Sequence, residues 1–243
     1  MNIYSSTDTG KIRSSNQDAF MSGSFDDGAT WAVVCDGMGG ANGGNVASRL
    51  AVDYFSASLK SGYRSSMSES SINNLLQSAV SAANVRVFDK SRESSDLSGM
   101  GTTIVAVLII GNTAYFVHAG DSRAYILSNG ELKQITRDHS IVQNMIESGK
   151  LSIDEARFHP RKNVITRALG VEEIVHSDFT VADFLQNEKI LLCSDGLTNY
   201  ADIDNIKAIL TEDSVNDPAA ELVKLANDNG GGDNITAVVI ENI

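Results

Sequence analysis

Residues 102–130 constrain the fold of this chain more than any other stretch. Thr102 to Ile110 is β-branched and apolar, and Thr113 to Ala119 repeats that character. Gly111-Asn112 between them fits a two-residue hairpin turn. Ala124 to Leu127 is expected to continue the meander, and Asn129-Gly130 is a second hairpin signal. Strands joined by turns this tight pair antiparallel, which excludes a βαβ repeat here.

The remaining segments alternate in type. Trp31 to Cys35, Ile174 to Val181, Ile190 to Cys193 and Ile235 to Ile240 read as strands. Val46, Leu50 and Tyr54 share one face of a helix expected from Asn45 to about Leu59. Ile72, Leu75, Leu76, Ala79, Val80, Ala83 and Val87 mark a second, and Asp204–Leu210 and Pro218–Ala226 two more. Asp138 or Ser140 can cap a helix carrying Ile141, Val142, Met145 and Ile146, and Ser152 with Glu155 has the form of a capping box. No linker or internal repeat divides the 243 residues. A single domain over 1–243 follows, with an excursion at about 145–170, burying about 75% of its unfolded surface.

Composition narrows the function classes. With 31 acidic against 19 basic residues the net charge is −12, which disfavours nucleic acid and anionic membrane surfaces. Ile104 to Ile110 is too short to cross a bilayer, and the N-terminus lacks the basic start and apolar core of a secretion signal. A cytoplasmic protein is expected, a monomer by default. Cys35 and Cys193 lie in apolar strands, as reduced, buried thiols would.

Chemistry concentrates in aspartates. Asp36 and Asp195 each end an apolar strand and precede a glycine. Asp121 follows Gly120 at another strand end, Asp18 stands just before Ala19-Phe20-Met21, and Asp233 opens the last strand. Carboxylates gathered this way raise one another's pKa unless cations sit among them. An all-oxygen set without a Cys/His pattern selects hard ions, Mg²⁺ or Mn²⁺, over zinc. Two such ions suit in-line phosphoryl hydrolysis. There is no P-loop, no dinucleotide fingerprint and no Gly-x-Ser-x-Gly. Ser122 is expected to hydrogen-bond its turn, and Cys193 has no basic sequence neighbour to activate it.

The motifs occur in a telling order: Arg-x-x-Asn-Gln-Asp (13–18), Asp-Gly-Met-Gly-Gly (36–40), Gly-Thr-Thr (101–103), His-Ala-Gly-Asp-Ser-Arg (118–123), Asp-His-Ser (138–140), Ile-Thr-Arg-Ala-Leu-Gly (165–170), Ser-Asp-Gly-Leu (194–197) and Asp-Asn-Ile-Thr (233–236). Across nearly the whole chain this resembles the metal-dependent protein phosphatases of type 2C in their compact bacterial form. The resemblance implies an α+β fold, a four-layer α-β-β-α sandwich of two antiparallel sheets flanked by helices. It implies Mg²⁺- or Mn²⁺-dependent hydrolysis of phosphoserine and phosphothreonine proteins by direct attack of a metal-bridging water, opposing a bacterial Ser/Thr kinase.

Carried over by position, Asp36 bridges two core ions, the Gly37 carbonyl ligates the second, and Asp195 and Asp233 complete the first. Asp18 supports the second site, Asp121 with Asp195 matches a weaker third, and Arg13 matches the phosphate-binding arginine. Asn234 is expected to hydrogen-bond around the centre. Eukaryotic relatives often have Glu at the place of Gln17, and a histidine proposed as general acid at the place of Met38. Methionine donates no proton, so His118, His159 or a metal-bound water are the candidates for that task. The alternative is a non-catalytic phosphoprotein-binding or sensor module on the same fold; the retained acids oppose it.

Overall fold

The computed structural model describes residues 1–156, 158–212 and 214–243. Its architecture follows from strands that are apolar on both sides. In β3 (Thr30–Met38), Trp31, Val33 and Cys35 face one way and Ala32 and Val34 the other. In β5 (Ile104–Ile110), Ile104, Ala106 and Leu108 oppose Val105, Val107 and Ile109. β10 (Lys189–Cys193) and β11 (Ile235–Glu241) divide likewise. A sheet apolar on both faces needs a layer on each.

The layers are two sheets back to back with helices outside. One sheet runs β1 (Asn2–Asp8), β11, β10, β7 (Arg123–Ser128), β8 (Glu131–Gln134). The other runs β2 (Asp18–Ser24), β3, β5, β6 (Thr113–Ala119), β9 (Asp178–Asp183), with the short β4 (Gly101–Thr102) pairing beside the end of β3. Every pairing is antiparallel. Ala32, Val34, Val107, Phe116, Leu192 and Val238 fill the space between the sheets. The helices α1 (Gly40–Gly62) and α2 (Glu69–Ser91) cover the second sheet's outer face. The helices α5 (Asp195–Thr198), α6 (Ile203–Thr211) and α7 (Pro218–Asp228) cover the first sheet's. This is the expected four-layer sandwich. Both cysteines are buried free thiols, and no helix among the described residues is long and apolar enough to cross a membrane.

Four expectations change. The chain does not continue a meander after β6: it crosses to the other sheet at Gly120, whose φ of +115° turns the backbone as other residues rarely can. α1 starts at Gly40 instead of Asn45 and runs past Leu59. Gly44 within it is imposed by packing, since a Cβ there would sit 2.6 Å from the Gly37 carbonyl oxygen. β9 starts at Asp178 instead of Ile174, because Gln77 Nε2 donates to the Ser177 carbonyl (3.2 Å) and holds the preceding segment against α2. The one-turn α5 was not anticipated, its four residues being too few for a periodic pattern. The excursion leaves after His139 and returns by Arg167, carrying α3 (Ile141–Glu147) and α4 (Ile153–Ala156); within it, Arg157 lies outside the described residues.

Candidate active site

The site grows out of one end of the layer between the sheets. Val34 enters that layer, so Asp36, two residues on, points the same way at the strand's end. Asp18 is its cross-strand partner on β2. From the facing sheet, Ser194 lies two residues beyond Leu192, and Thr236 two before Val238. Both hydroxyls donate to Asp18 Oδ2 at 2.7 Å. Asp18 thus ties the two sheets together just below the surface, and its other oxygen, Oδ1, is buried with no hydrogen-bond partner.

The other carboxylates arrive on turns. Asp195 begins α5, where Asn199 Nδ2 donates to its Oδ2 (2.9 Å). Asp233 accepts from Arg13 Nη2 (2.9 Å), and the Arg13 side chain is half-exposed at the rim. Asn234 is buried and staples the loop that carries Arg13: its Oδ1 accepts from Gln17 N (2.8 Å), and its Nδ2 donates to the carbonyls of Thr9 and Ser15 (2.9 Å each). Asp121 sits on the crossover between the sheets. Gly37 N donates to the Gln17 carbonyl (3.1 Å), and a Cβ at Gly37 would lie 2.1 Å from the Gly44 carbonyl oxygen, so only glycine fits.

The Gly-Thr-Thr motif fixes Asp36 through its backbone. Thr103 N and Thr102 Oγ1 donate to the Asp36 carbonyl (2.9 and 2.8 Å), and Asp36 N donates to Thr103 Oγ1 (2.9 Å). Sequence reasoning named this motif without giving it a task, and it missed Ser194 and Thr236. The alternation of β10 and β11, extended two residues past Leu192 and two before Val238, turns both hydroxyls toward the inter-sheet layer, but their meeting with Asp18 depends on the register of the facing sheets.

Electrostatics mark the cluster as unable to hold its charge alone. Burial first, then Asp18, Asp195, Asp121 and Asp233, push Asp36 far above the carboxylate range. Burial and the neighbouring acids push Asp18 up to about 7 and Asp121 up to about 8, and Asp195 is raised by burial and Asp233. Arg13 is raised by its hydrogen bond to Asp233. An unpartnered buried carboxylate oxygen and an all-oxygen donor set fit hard divalent cations. Among the described residues, the group offering ligand atoms within 4.8 Å of one another is a different one: His118, His139 and Asp178. There the guanidinium of Arg167 already supplies a cation, donating to Asp178 Oδ1 at 2.6 Å.

The two candidate acids stand apart from the carboxylates in different ways. His118 is buried, bonds the Arg137 carbonyl through Nε2 (2.8 Å) and stacks on His139. His159 is half-buried in the excursion, its Nδ1 accepting from Arg161 N (3.2 Å). Between the excursion and α5 runs a groove of about 790 Å³, lined among others by Asp121, Asp195, Phe158, Lys162 and Tyr200.

Fold and site together define a class: a two-sheet sandwich with a carboxylate centre at one end of its inter-sheet layer and an arginine fork at the rim. The family model for protein phosphatase 2C matches residues 11–238. The serine/threonine phosphatase stp of Listeria monocytogenes is 38% identical over 238 residues, covering 97% of this chain and 93% of that protein. The serine/threonine phosphatase of S. agalactiae superposes with a TM-score of 0.91 at 35% identity, covering 99% of each chain. The catalytic domain of the serine/threonine phosphatase PstP, solved with two manganese ions, gives 0.85 at 34% identity, covering 98% of this chain and 96% of that one. The chain belongs to the protein phosphatase 2C family, in its bacterial form, and is a protein serine/threonine phosphatase.

Proposed function

We propose that the chain hydrolyses phosphoserine and phosphothreonine in proteins at a centre of divalent cations, Mn²⁺ or Mg²⁺, with no covalent phosphoenzyme. Asp36, Asp195, Asp233, Asp18 and the Gly37 carbonyl hold two core ions, and Asp121 with Asp195 a weaker third. The observation that carries this reading is Asp18 Oδ1, a buried carboxylate oxygen with no protein partner in the middle of mutually repelling acids. The ions supply positive charge to the phosphoryl oxygens and a water acidic enough to deprotonate near neutral pH. A donor set of oxygen atoms alone suits Mg²⁺ and Mn²⁺ over softer ions.

The protein's own groups do the rest. Arg13 offers a planar fork to the phosphate, and Asp233 aims it. Asn234 holds the Arg13 loop at the right depth. The groove under Phe158 and Lys162 receives the phosphopeptide. Among the described residues, the hydroxyls and thiol beside the site are poorly placed as nucleophiles: Ser122 is buried on Thr103 (2.6 Å), Ser194 is spent on Asp18, and burial pushes the Cys193 thiol up to about 12. In this reading water is the attacking group. Met38 offers no proton and His118 is sealed inside on the Arg137 carbonyl, which leaves His159 in the excursion or a metal-bound water as the proton donor to the leaving oxygen. Phosphoserine proteins must be made by a kinase, so the enzyme opposes a Ser/Thr kinase.

Acid quenching of single turnovers on a ³²P-labelled phosphothreonine protein tests the reading. Label should pass to inorganic phosphate without appearing on the enzyme, and only after Mn²⁺ or Mg²⁺ is restored to EDTA-treated protein. A labelled enzyme intermediate, or full turnover in EDTA, would overturn it.

A further inference from the structure

The dipeptide Asp138-His139 lies outside the carboxylate cluster, yet both side chains are buried and both reach the crossover that carries Asp121. His139 grips Gly120 twice: its N–H donates to the Gly120 carbonyl (2.9 Å), and Gly120 N–H donates to its Nδ1 (3.2 Å). Asp138 grips Arg123 from the other side, accepting from Nε at 2.9 and 3.0 Å and from Nη2 at 2.6 Å. Asp121 and Ser122 are held between these two grips.

The clamp is itself anchored. Because Nδ1 accepts from Gly120 N–H, the neutral imidazole carries its proton on Nε2, which lies 3.2 Å from Asp178 Oδ2 and 3.0 Å from Arg167 Nη1. Asp178 takes Arg167 on its other oxygen (2.6 Å). His118, the cross-strand partner of Asp178, stacks on the ring with 4.6 Å between centroids and 5° between planes. The His139 carbonyl accepts from Thr166 N (2.8 Å), where the excursion returns.

We propose that Asp138-His139 is a positioning clamp for Asp121: it sets the carboxylate's place at the weaker third cation and ties that place to the root of the excursion. The inference rests on the reading of Asp121 as a ligand. A positioning group behind a metal ligand typically changes metal affinity about 10–100-fold when removed.

The test is Mn²⁺ titration calorimetry on the full chain, with amide exchange at Gly120 followed in parallel, for wild type, His139→Ala, His139→Asn and Asp178→Asn. In His139→Ala the weakest Mn²⁺ step should weaken about tenfold, the tight steps should hold, and Gly120 exchange should quicken. His139→Asn, whose amide oxygen can accept from Gly120 N–H, should recover most of both effects. Asp178→Asn, which loosens the anchor alone, should fall between wild type and His139→Ala. A His139→Ala isotherm identical to wild type with unchanged Gly120 exchange would overturn the proposal. So would loss of a tight Mn²⁺ equivalent with the weakest step unchanged, which would make His118, His139 and Asp178 a ligand set. The Gly120 readout stands apart from turnover, so failure of the phosphatase mechanism and failure of the clamp are separable.

Discussion

At the scale of single residues the site is a set of charges placed where their neighbours resist them. Asp18 and Asp121 are raised from 3.8 to about 7 and about 8, chiefly by burial. A carboxyl raised on folding keeps more protons in the folded state than in the unfolded one. Its contribution to stability is present below about pH 4 and lost as pH rises through its folded pKa. Protein stripped with EDTA should therefore lose melting temperature as pH rises from about 4 to about 8, and saturating Mn²⁺ should remove that loss by binding the ionised form. Thermal scans across that range check it. Arg13 was legible from its motif, and the structure adds its pairing with Asp233. Arg13→Lys keeps the charge and loses the fork, so kcat/KM for p-nitrophenyl phosphate should fall about tenfold or more. The hydroxyls on Asp18 were not legible, because Ser194 and Thr236 come from distant strands and meet only through the register of two facing sheets.

At the scale of elements, strands were read well and their connections less so. β5 and β6 follow from β-branched runs around a glycine turn. The crossover at Gly120 looks locally like one more turn, and only the positive φ and the sheet order reveal a change of sheet. The segment before β9 was read as strand from its apolar residues, but α2 claims it. Asn84, buried in α2, donates to the carbonyls of Glu172 and Glu173 (3.1 and 2.9 Å) and accepts from Gly170 N (2.8 Å). Asn84→Ala would strand three main-chain groups and should cost about 2 kcal/mol or more, measured by urea unfolding.

At the scale of the molecule, the two sheets bind each other through an apolar layer, and the clustered aspartates stand at one end of it. Phe116 is fully buried in it. Phe116→Ala should cost about 3–5 kcal/mol by chemical denaturation. The order of motifs made the family legible, since each carries a backbone requirement such as the glycine at 37; packing alone decides how far α1 reaches and where the excursion is anchored. The central claim is that the aspartates at the end of the inter-sheet layer hold the cations that make the enzyme work. Hydrolysis of a phosphothreonine peptide by wild type and Asp36→Asn, each with Mn²⁺, Mg²⁺ or EDTA, addresses it most directly. Turnover in either metal that disappears with EDTA and falls at least about a thousandfold in Asp36→Asn is the predicted result. Turnover that survives both EDTA and the substitution would contradict the account.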